Sequence, residues 1–436
     1  MVTRSPSRCP ARAHSRRGTT SVQLLVLMVP VIFGLMGFAV DLGRLYLIRG
    51  ELKTAANAMA LAAAAQLIGT DAALDNATNT ALLTLDQGSG LGNRYNFGML
   101  QIGQSTGLLS SELPQPAYYS SLEAALAAGE DATSEASGPE ARYVRVTVSA
   151  EAPLLFWGFL ALGAERKTLV RAQAVAGISA PLCTACGIEP IAIAALDPED
   201  LVHFGFTQNT RYTLAYSCTG TPSPAALANT AQVISYVLLD HYNSEAETLA
   251  DEQTQLYRIG AQGLLPSTNI ALSCISINAE RQIWTNAAPR ACNQNVVSQV
   301  TAFLCGLATR FSAETPEACA GVPEIDSVAP AYTPDTDVND LEDYAGYTGN
   351  GRRVITVAVV DQIQNTSSMI VLGFRQFLIE PNPDDVTINP ADRNGRFAAL
   401  YLGYPVPLRQ GWFRDPTGQI PACQVSSGPG KVVLHQ

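Results

Sequence analysis

Nine cysteines and four histidines are the residues of this chain best suited to chemistry, and their spacing narrows what that chemistry can be. Cys183-Thr184-Ala185-Cys186 has the spacing of a redox pair, a metal half-site or a structural bridge. A thioredoxin-like pair opens a helix after a strand, whereas Gly187-Ile188-Glu189-Pro190 followed by IAIAAL reads as a turn into a strand. A haem attachment site needs His at 187, which is Gly, and a zinc site needs a second CxxC or a spaced His pair. A structural role is therefore expected. The candidate disulfide cysteines are Cys183, Cys186, Cys218, Cys274, Cys292, Cys305, Cys319 and Cys423, all beyond residue 180, while Cys9 stands apart near the N-terminus. Eight cysteines in an oxidising compartment supply up to four bridges, in any of 105 pairings.

The remaining polar motifs carry less. Asp335-Thr336-Asp337-Val338-Asn339 imitates the start of an EF-hand loop, but its sixth position is Asp340 instead of Gly and its twelfth is Gly346 instead of Glu. A solvated acidic linker is expected across Glu314–Asn350, and Asp384, Asp385 and Asp392 read as surface turn residues. His203 lies in an apolar VHFGF stretch and reads as core; His241 follows Asp240 near an expected helix end. There is no GxSxG, P-loop, HExxH or strand-to-helix GxGxxG. The expectation is a non-enzymatic protein with no catalytic residues, no metal ligands and no cofactor.

The elements that position these residues begin with a charge asymmetry. Residues 1–50 hold seven of the 27 basic residues but one of the 38 acidic ones, leaving 20 basic and 37 acidic groups for the rest. An acidic body of this kind argues against nucleic acid as a partner. Between Val22 and Val40 no residue is charged. Nineteen residues at about 1.5 Å each cover roughly 30 Å of hydrocarbon. Arg4, Arg8, Arg12, Arg16 and Arg17 precede this run, so the positive-inside rule predicts a cytoplasmic N-terminus and an exported bulk. The run is longer than the apolar core of a cleaved signal and continues without a turn, which predicts a retained anchor.

From Asp41 to Ile68 there is no Pro, and Leu52, Ala55, Ala56, Met59, Ala63 and Leu67 recur at helical spacing. One helix from Leu24 to Ile68 follows, kinked at Pro30. Its alanine stripe can pack under the chain's own globular part or against another helix. Further along, Ala225–Asp240, Ser244–Ile259 and Val296–Phe311 read as helices. Arg353–Asp361, Met369–Ile379 and Phe397–Leu402 read as strands. The fold class is α+β, a long N-terminal helix followed by periplasmic α+β domains. The divisions are 1–21 basic N-terminus, 22–40 transmembrane helix, 41–180 proximal module and 181–436 cysteine-containing domain.

Arg16-Arg17-Gly18, the apolar span to Val40, AVDLGRLYLIRGELKTAANAMALAAAAQL from Ala39 to Leu67 and VRVTVSAEAPLLFWGFLALG from Val144 to Gly163 form a recognisable series. Together with a strand at Leu169–Ile178, they resemble the TadG-like module, related to TadE, of Tad (tight adherence) or Flp pilus assembly proteins. The resemblance covers roughly residues 16–180. It implies a component of pilus assembly in the inner membrane, with other assembly proteins or pilins as partners. In processed pilins a peptidase cuts after the Gly that precedes the helix, which maps here between Gly18 and Thr19. Such pilins typically have Glu at the fifth mature position, where this chain has Gln23. Some TadG-like proteins add a von Willebrand factor A domain with a DxSxS motif; Asp361-Gln362-Ile363-Gln364-Asn365 lacks both serines, so that domain is not expected. The leading expectation is a membrane-anchored assembly component. The alternatives are a processed minor pilin in the fibre and a periplasmic binding or receptor protein using a Tad-type anchor.

Overall fold

The computed structural model describes residues 17–84, 115–129, 133–154, 167–182, 184–186, 188–216, 223–239, 257–263, 274–276, 282–284, 294–311, 317–320, 333–335, 337, 343–363, 368–380, 388–408, 411–412 and 427–435. Two compact units are present. One comprises 1–56, 95–114 and 147–173, and the other 57–94, 115–146 and 174–436.

Helix α1 runs from Arg17 to Ala64, with Pro30 inside it, so the expected long N-terminal helix is present. Its end is tightened by bonds from Gln66 N to Ala63 O (2.9 Å) and Leu67 N to Ala64 O (3.2 Å). Gly69, five residues past the helix end, adopts a left-handed φ of 86°, a conformation that favours glycine. A shorter helix, α2 (Ala73–Leu83), buries Ala73, Ala77 and Ala81 on one face.

A four-stranded sheet follows the order β1 (Ala117–Tyr119), β2 (Tyr143–Pro153), β3 (Lys167–Ile178), β14 (Val432–His435). Between β1 and β2 lies the short helix α3 (Leu122–Ala127), which Ser121 caps by accepting from Ala124 N. Val144, Val146, Val148, Ala150 and Ala152 on β2 are fully buried at the two-residue period of a strand. β14 pairs antiparallel with β3, Val432 opposite Ile178.

Six further strands build a closed barrel. Its strands are β5 (Ile191–Ala194), β6 (Arg211–Tyr216), β7 (Val233–Leu238), β10 (Val354–Val360), β11 (Ser368–Glu380) and β12 (Phe397–Tyr401). The order is β10-β5-β7-β6-β12-β11, and β11 returns to pair with β10, which closes the ring. β10–β5 and β6–β7 are parallel; the other four contacts are antiparallel. β9 (Gln282–Trp284) adds to the start of β11. Closure leaves fewer unpaired edges and lets alternate residues fill one core. Ile191, Ile193, Leu214, Ile234, Tyr236, Val357, Phe377, Phe397 and Tyr401 belong to it.

Helix α4 (Gln294–Ala308) adds Val300, Phe303, Leu304 and Leu307 to the same core, matching the helix expected at Val296–Phe311. Cys305 of α4 is bridged to Cys319 of a short 3-10 turn, with Cα atoms 5.8 Å apart. A separate three-stranded sheet has the order β13 (Gly411–Trp412), β4 (Thr184–Cys186), β8 (Cys274–Ser276). Ala185 of β4 packs with Ile188 against Ala192, Val237, Ala358 and Val360, residues that alternate with the core-facing positions of the barrel.

Two sequence expectations are corrected. Ala225–Asp240 is not a helix: 223–232 is irregular and Val233–Leu238 is a strand. The Thr213 hydroxyl accepts from Leu227 N (2.8 Å) and meets the Thr230 hydroxyl (2.7 Å), holding 227–230 in a loop. The β-branched VISYVL run then buries Ile234, Tyr236 and Leu238 in one core and Val237 in another, a period of two that a helix cannot supply. The acidic stretch around Asp335 is also not a solvated linker, since Asp335 and Asp337 are buried. The expected helix at Ser244–Ile259 is helical over 257–262, and its earlier residues, His241 included in the approach to it, lie outside the described ones.

Candidate membrane and assembly site

The first half of α1 exposes large apolar side chains all round. Leu27 is 72% exposed, Phe33 67% and Leu47 67%, and from Val22 to Leu47 every other Leu, Val, Ile, Phe or Met except Leu45 is exposed as well. Soluble monomers rarely show a contiguous apolar surface on this scale. Among the described residues this is the one helix long and apolar enough to cross a membrane. Gly37 and Asp41 are the exceptions on this half, both buried, and Asp41 is engaged in an interaction.

The second half of α1 is the reverse. Leu52, Ala55, Ala56, Met59, Ala63 and Leu67, the stripe legible in the sequence, are all fully buried within the protein. Alanine is the best helix former and lets neighbouring backbone approach closely. Lys53 Nζ donates to Gln173 O at 2.6 Å, and Thr54 Oγ1 donates back to Gly50 O at 3.0 Å.

The other sequence-selected positions fall as follows. Gly18 and Thr19 lie in the first turns of α1, Gln23 is exposed, and Pro30 is exposed inside the helix. Of the cysteines, Cys305 and Cys319 are joined and buried. Cys186 and Cys274 are on neighbouring strands β4 and β8. Cys9, Cys183, Cys218, Cys292 and Cys423 lie outside the described residues, as do Asp384 and Asp385. Asp392 accepts from Arg396 Nε at 2.8 Å in a turn.

Asp335 and Asp337 of the EF-hand-like stretch, and several charged groups that the sequence did not single out, have buried partners in the barrel unit. Arg353 and Asp335, both fully buried, form an ion pair at 3.6 Å. The Tyr347 hydroxyl donates to the same carboxylate, and the Arg353 guanidinium lies over the Phe311 and Tyr347 rings at 5.4 and 5.3 Å. Asp337 accepts from Thr348 N at 2.9 Å and from its hydroxyl. Gly349 is required here, because a Cβ would lie 2.1 Å from Asp335 Oδ1. Arg310 pairs with Glu189, donates to Ala261 O at 2.7 Å and reaches Arg352 O. Burial pushes the Glu189 carboxyl up to about 7 against the pull of Arg310. A weak signal for these pairs was present in the sequence, namely Arg352-Arg353 at the mouth of a β-branched run.

His203 sits in a loop built by Asp200, whose carboxylate accepts from Val202 N, His203 N and Gly205 N at 2.9–3.1 Å. Those three bonds hold the Asp200 carboxyl below its ordinary range. Phe204 and Gly205 take left-handed φ values of 54° and 79° there. Arg375 stacks on Phe204 at 4.1 Å and donates to Val202 O at 2.7 Å. His203 is half-buried, with Nδ1 2.9 Å from the Tyr401 hydroxyl, whose pKa burial pushes up to about 12. These bonds hold the turn together, with the Asp200 carboxylate spent on backbone and His203 Nδ1 on Tyr401.

No curated protein and no solved structure matches this chain. A family model described as "Putative Flp pilus-assembly TadE/G-like" matches residues 18–66, a span that takes in the exposed half of α1 and nearly all of its buried stripe. Over residues 18–66, then, the chain is similar to the Flp pilus-assembly TadE/G-like family.

Proposed function

We propose that the chain is a membrane-anchored, non-enzymatic component of a Tad/Flp-type pilus assembly machine. The observation that carries this reading is a coincidence of two independent features. The family match at 18–66 takes in the whole helix segment whose large apolar side chains are exposed, along with most of the buried stripe. Lipid removes that surface from water at a gain of roughly 25 cal/mol per Å². The five arginines before residue 18 keep the N-terminus in the cytoplasm, and the acidic body lies on the periplasmic side of the inner membrane. The Cys305–Cys319 bridge suits that oxidising side. The partners are other Tad/Flp assembly proteins or pilins, met through α1 in the membrane and through the body outside it. The buried charges pair with one another inside the barrel unit, which accounts for them without catalysis.

The test is the intact mass and N-terminal sequence of the protein, taken separately from carbonate-washed membranes and from sheared surface fibres. Retention in the washed membranes with the Met1–Gly18 leader is expected. Release by carbonate refutes the anchor. A chain starting at Thr19 and found in fibres makes the protein a minor pilin that tolerates Gln23.

A further inference from the structure

The strand register selects one cysteine pairing that sequence leaves open. β4 runs antiparallel to β8 with Thr184 opposite Ser276, Ala185 opposite Ile275 and Cys186 opposite Cys274. Directly opposed residues in an antiparallel pair share a face of the sheet, with Cα atoms about 5.5 or about 4.5 Å apart, depending on the pair type. A disulfide requires roughly 4.4–6.8 Å between Cα atoms, so both pair types satisfy it.

The competing partner for Cys186 is Cys183. Thr184, Ala185 and Cys186 are extended, paired to β8 on one edge, and at Thr184 and Ala185 to Trp412 and Gly411 of β13 on the other. Extended chain advances about 3.3 Å per residue, whereas closing a bridge over two intervening residues needs a turn at that point. We infer that Cys186 and Cys274 form a cross-strand disulfide, and that the CxxC spacing is not itself a closed pair.

The oxidant belongs to the class of protein disulfides that act by exchange. The Cys186 thiolate attacks one donor sulfur, the donor S–S bond breaks, and the second donor sulfur leaves as a thiolate. The Cys274 thiolate then displaces the donor from the mixed disulfide. The Cys186–Cys274 bond forms, and two electrons and both thiol protons pass to the donor's reduced pair. The loop so closed contains β5, β6 and β7, half of the barrel. The bridge pins the strand whose Ala185 lies against Ala192, Val237 and Ala358. It is the counterpart, on that side, of the Cys305–Cys319 bridge that fixes α4.

The full chain, extracted from membranes with an alkylating agent present, is digested without reduction and its linked peptides are sequenced by mass spectrometry. A peptide joining Cys186 to Cys274 is expected. Cys183→Ser should leave Cys274 protected from alkylation, and Cys186→Ser should make it fully reactive. A Cys183–Cys186 internal link, a different partner for Cys274, or the reverse pattern in the two variants overturns the pairing. The wild-type digest decides the matter even where a variant fails to fold. The oxidising environment rests on the proposed topology, and the Cys305–Cys319 peptide separates the two claims. If that pair is bridged while Cys274 is free, the pairing alone fails; if both pairs are reduced, the pairing and the exported topology fail together.

Discussion

The two halves of α1 share one continuous helix and a mostly apolar alphabet, yet the large apolar side chains of Val22–Leu47 are exposed, Leu45 excepted, and the stripe from Leu52 to Ala63, with Leu67 just past the helix end, is fully buried. They differ in the size of the side chains. The exposed half is rich in Leu, Val, Phe, Met and Ile and has no charge before Asp41, whereas the buried stripe is mostly Ala punctuated by Leu52, Met59 and Leu67. Large side chains present the most apolar area to lipid; small ones let protein backbone come close. Hydrophobicity alone therefore does not say where an apolar helix goes. The volume of its side chains adds the missing information.

Changes at four positions test this contrast. Phe33→Arg has the largest expected effect, because a cation at mid-membrane costs about 2.5–3.5 kcal/mol on insertion. Membrane retention should be lost by roughly two orders of magnitude in the insertion equilibrium. Unchanged retention in carbonate-washed membranes would refute the lipid assignment of this half. Asp335→Ala should leave retention intact while destabilising the barrel unit by about 3–5 kcal/mol, since it strands Arg353 buried without its partner. Urea unfolding of the full chain in detergent reads this directly.

Leu67→Ala should cost about 2–5 kcal/mol by leaving a cavity at the end of the buried stripe, again with retention unchanged. If retention fell and stability did not, the division of α1 into two roles would be wrong. The smallest effect is a pH dependence. Burial raises the Glu189 carboxyl from 4.5 to about 7, so the folded state holds this proton more tightly than the unfolded state. The resulting stabilisation is fully present below about 4.5 and is lost as pH rises through about 7. Glu189→Gln removes that dependence. The unfolding free energy of wild type relative to the variant should thus fall between pH 4.5 and pH 7.5; a constant difference would show that Arg310 holds Glu189 charged throughout.

Much of the architecture was legible because it obeys local periodicity. The stripe of α1, the helix α4 and strands β10, β11 and β12 all declare themselves by spacing or by β-branched runs. Val233–Leu238 misled because Leu227, Ala231, Ile234, Val237 and Leu238 happen also to fit a helix. The decision fell to pairing with β5 and β6, which no local window contains. The buried charges were illegible for a related reason. Asp335 stands in an acidic, Pro-containing stretch that reads as solvated, and its partner Arg353 only becomes its neighbour once the chain has folded.

By itself, the sequence determined the long helix, the uncharged span within it and the basic flank before it, because these depend on composition and on residues a few positions apart. It also determined the small-residue stripe beyond the span, and the similarity to the Flp pilus-assembly TadE/G-like family lies in the same residues, 18–66. Tertiary structure alone decided that six strands close into a ring, that Asp335 and Glu189 meet Arg353 and Arg310, and that Cys186 stands opposite Cys274. The charge pairs and the cysteine pair join groups 18 to 121 residues apart. Their proximity is set by strand register and core packing, and neither is encoded at any single place along the chain.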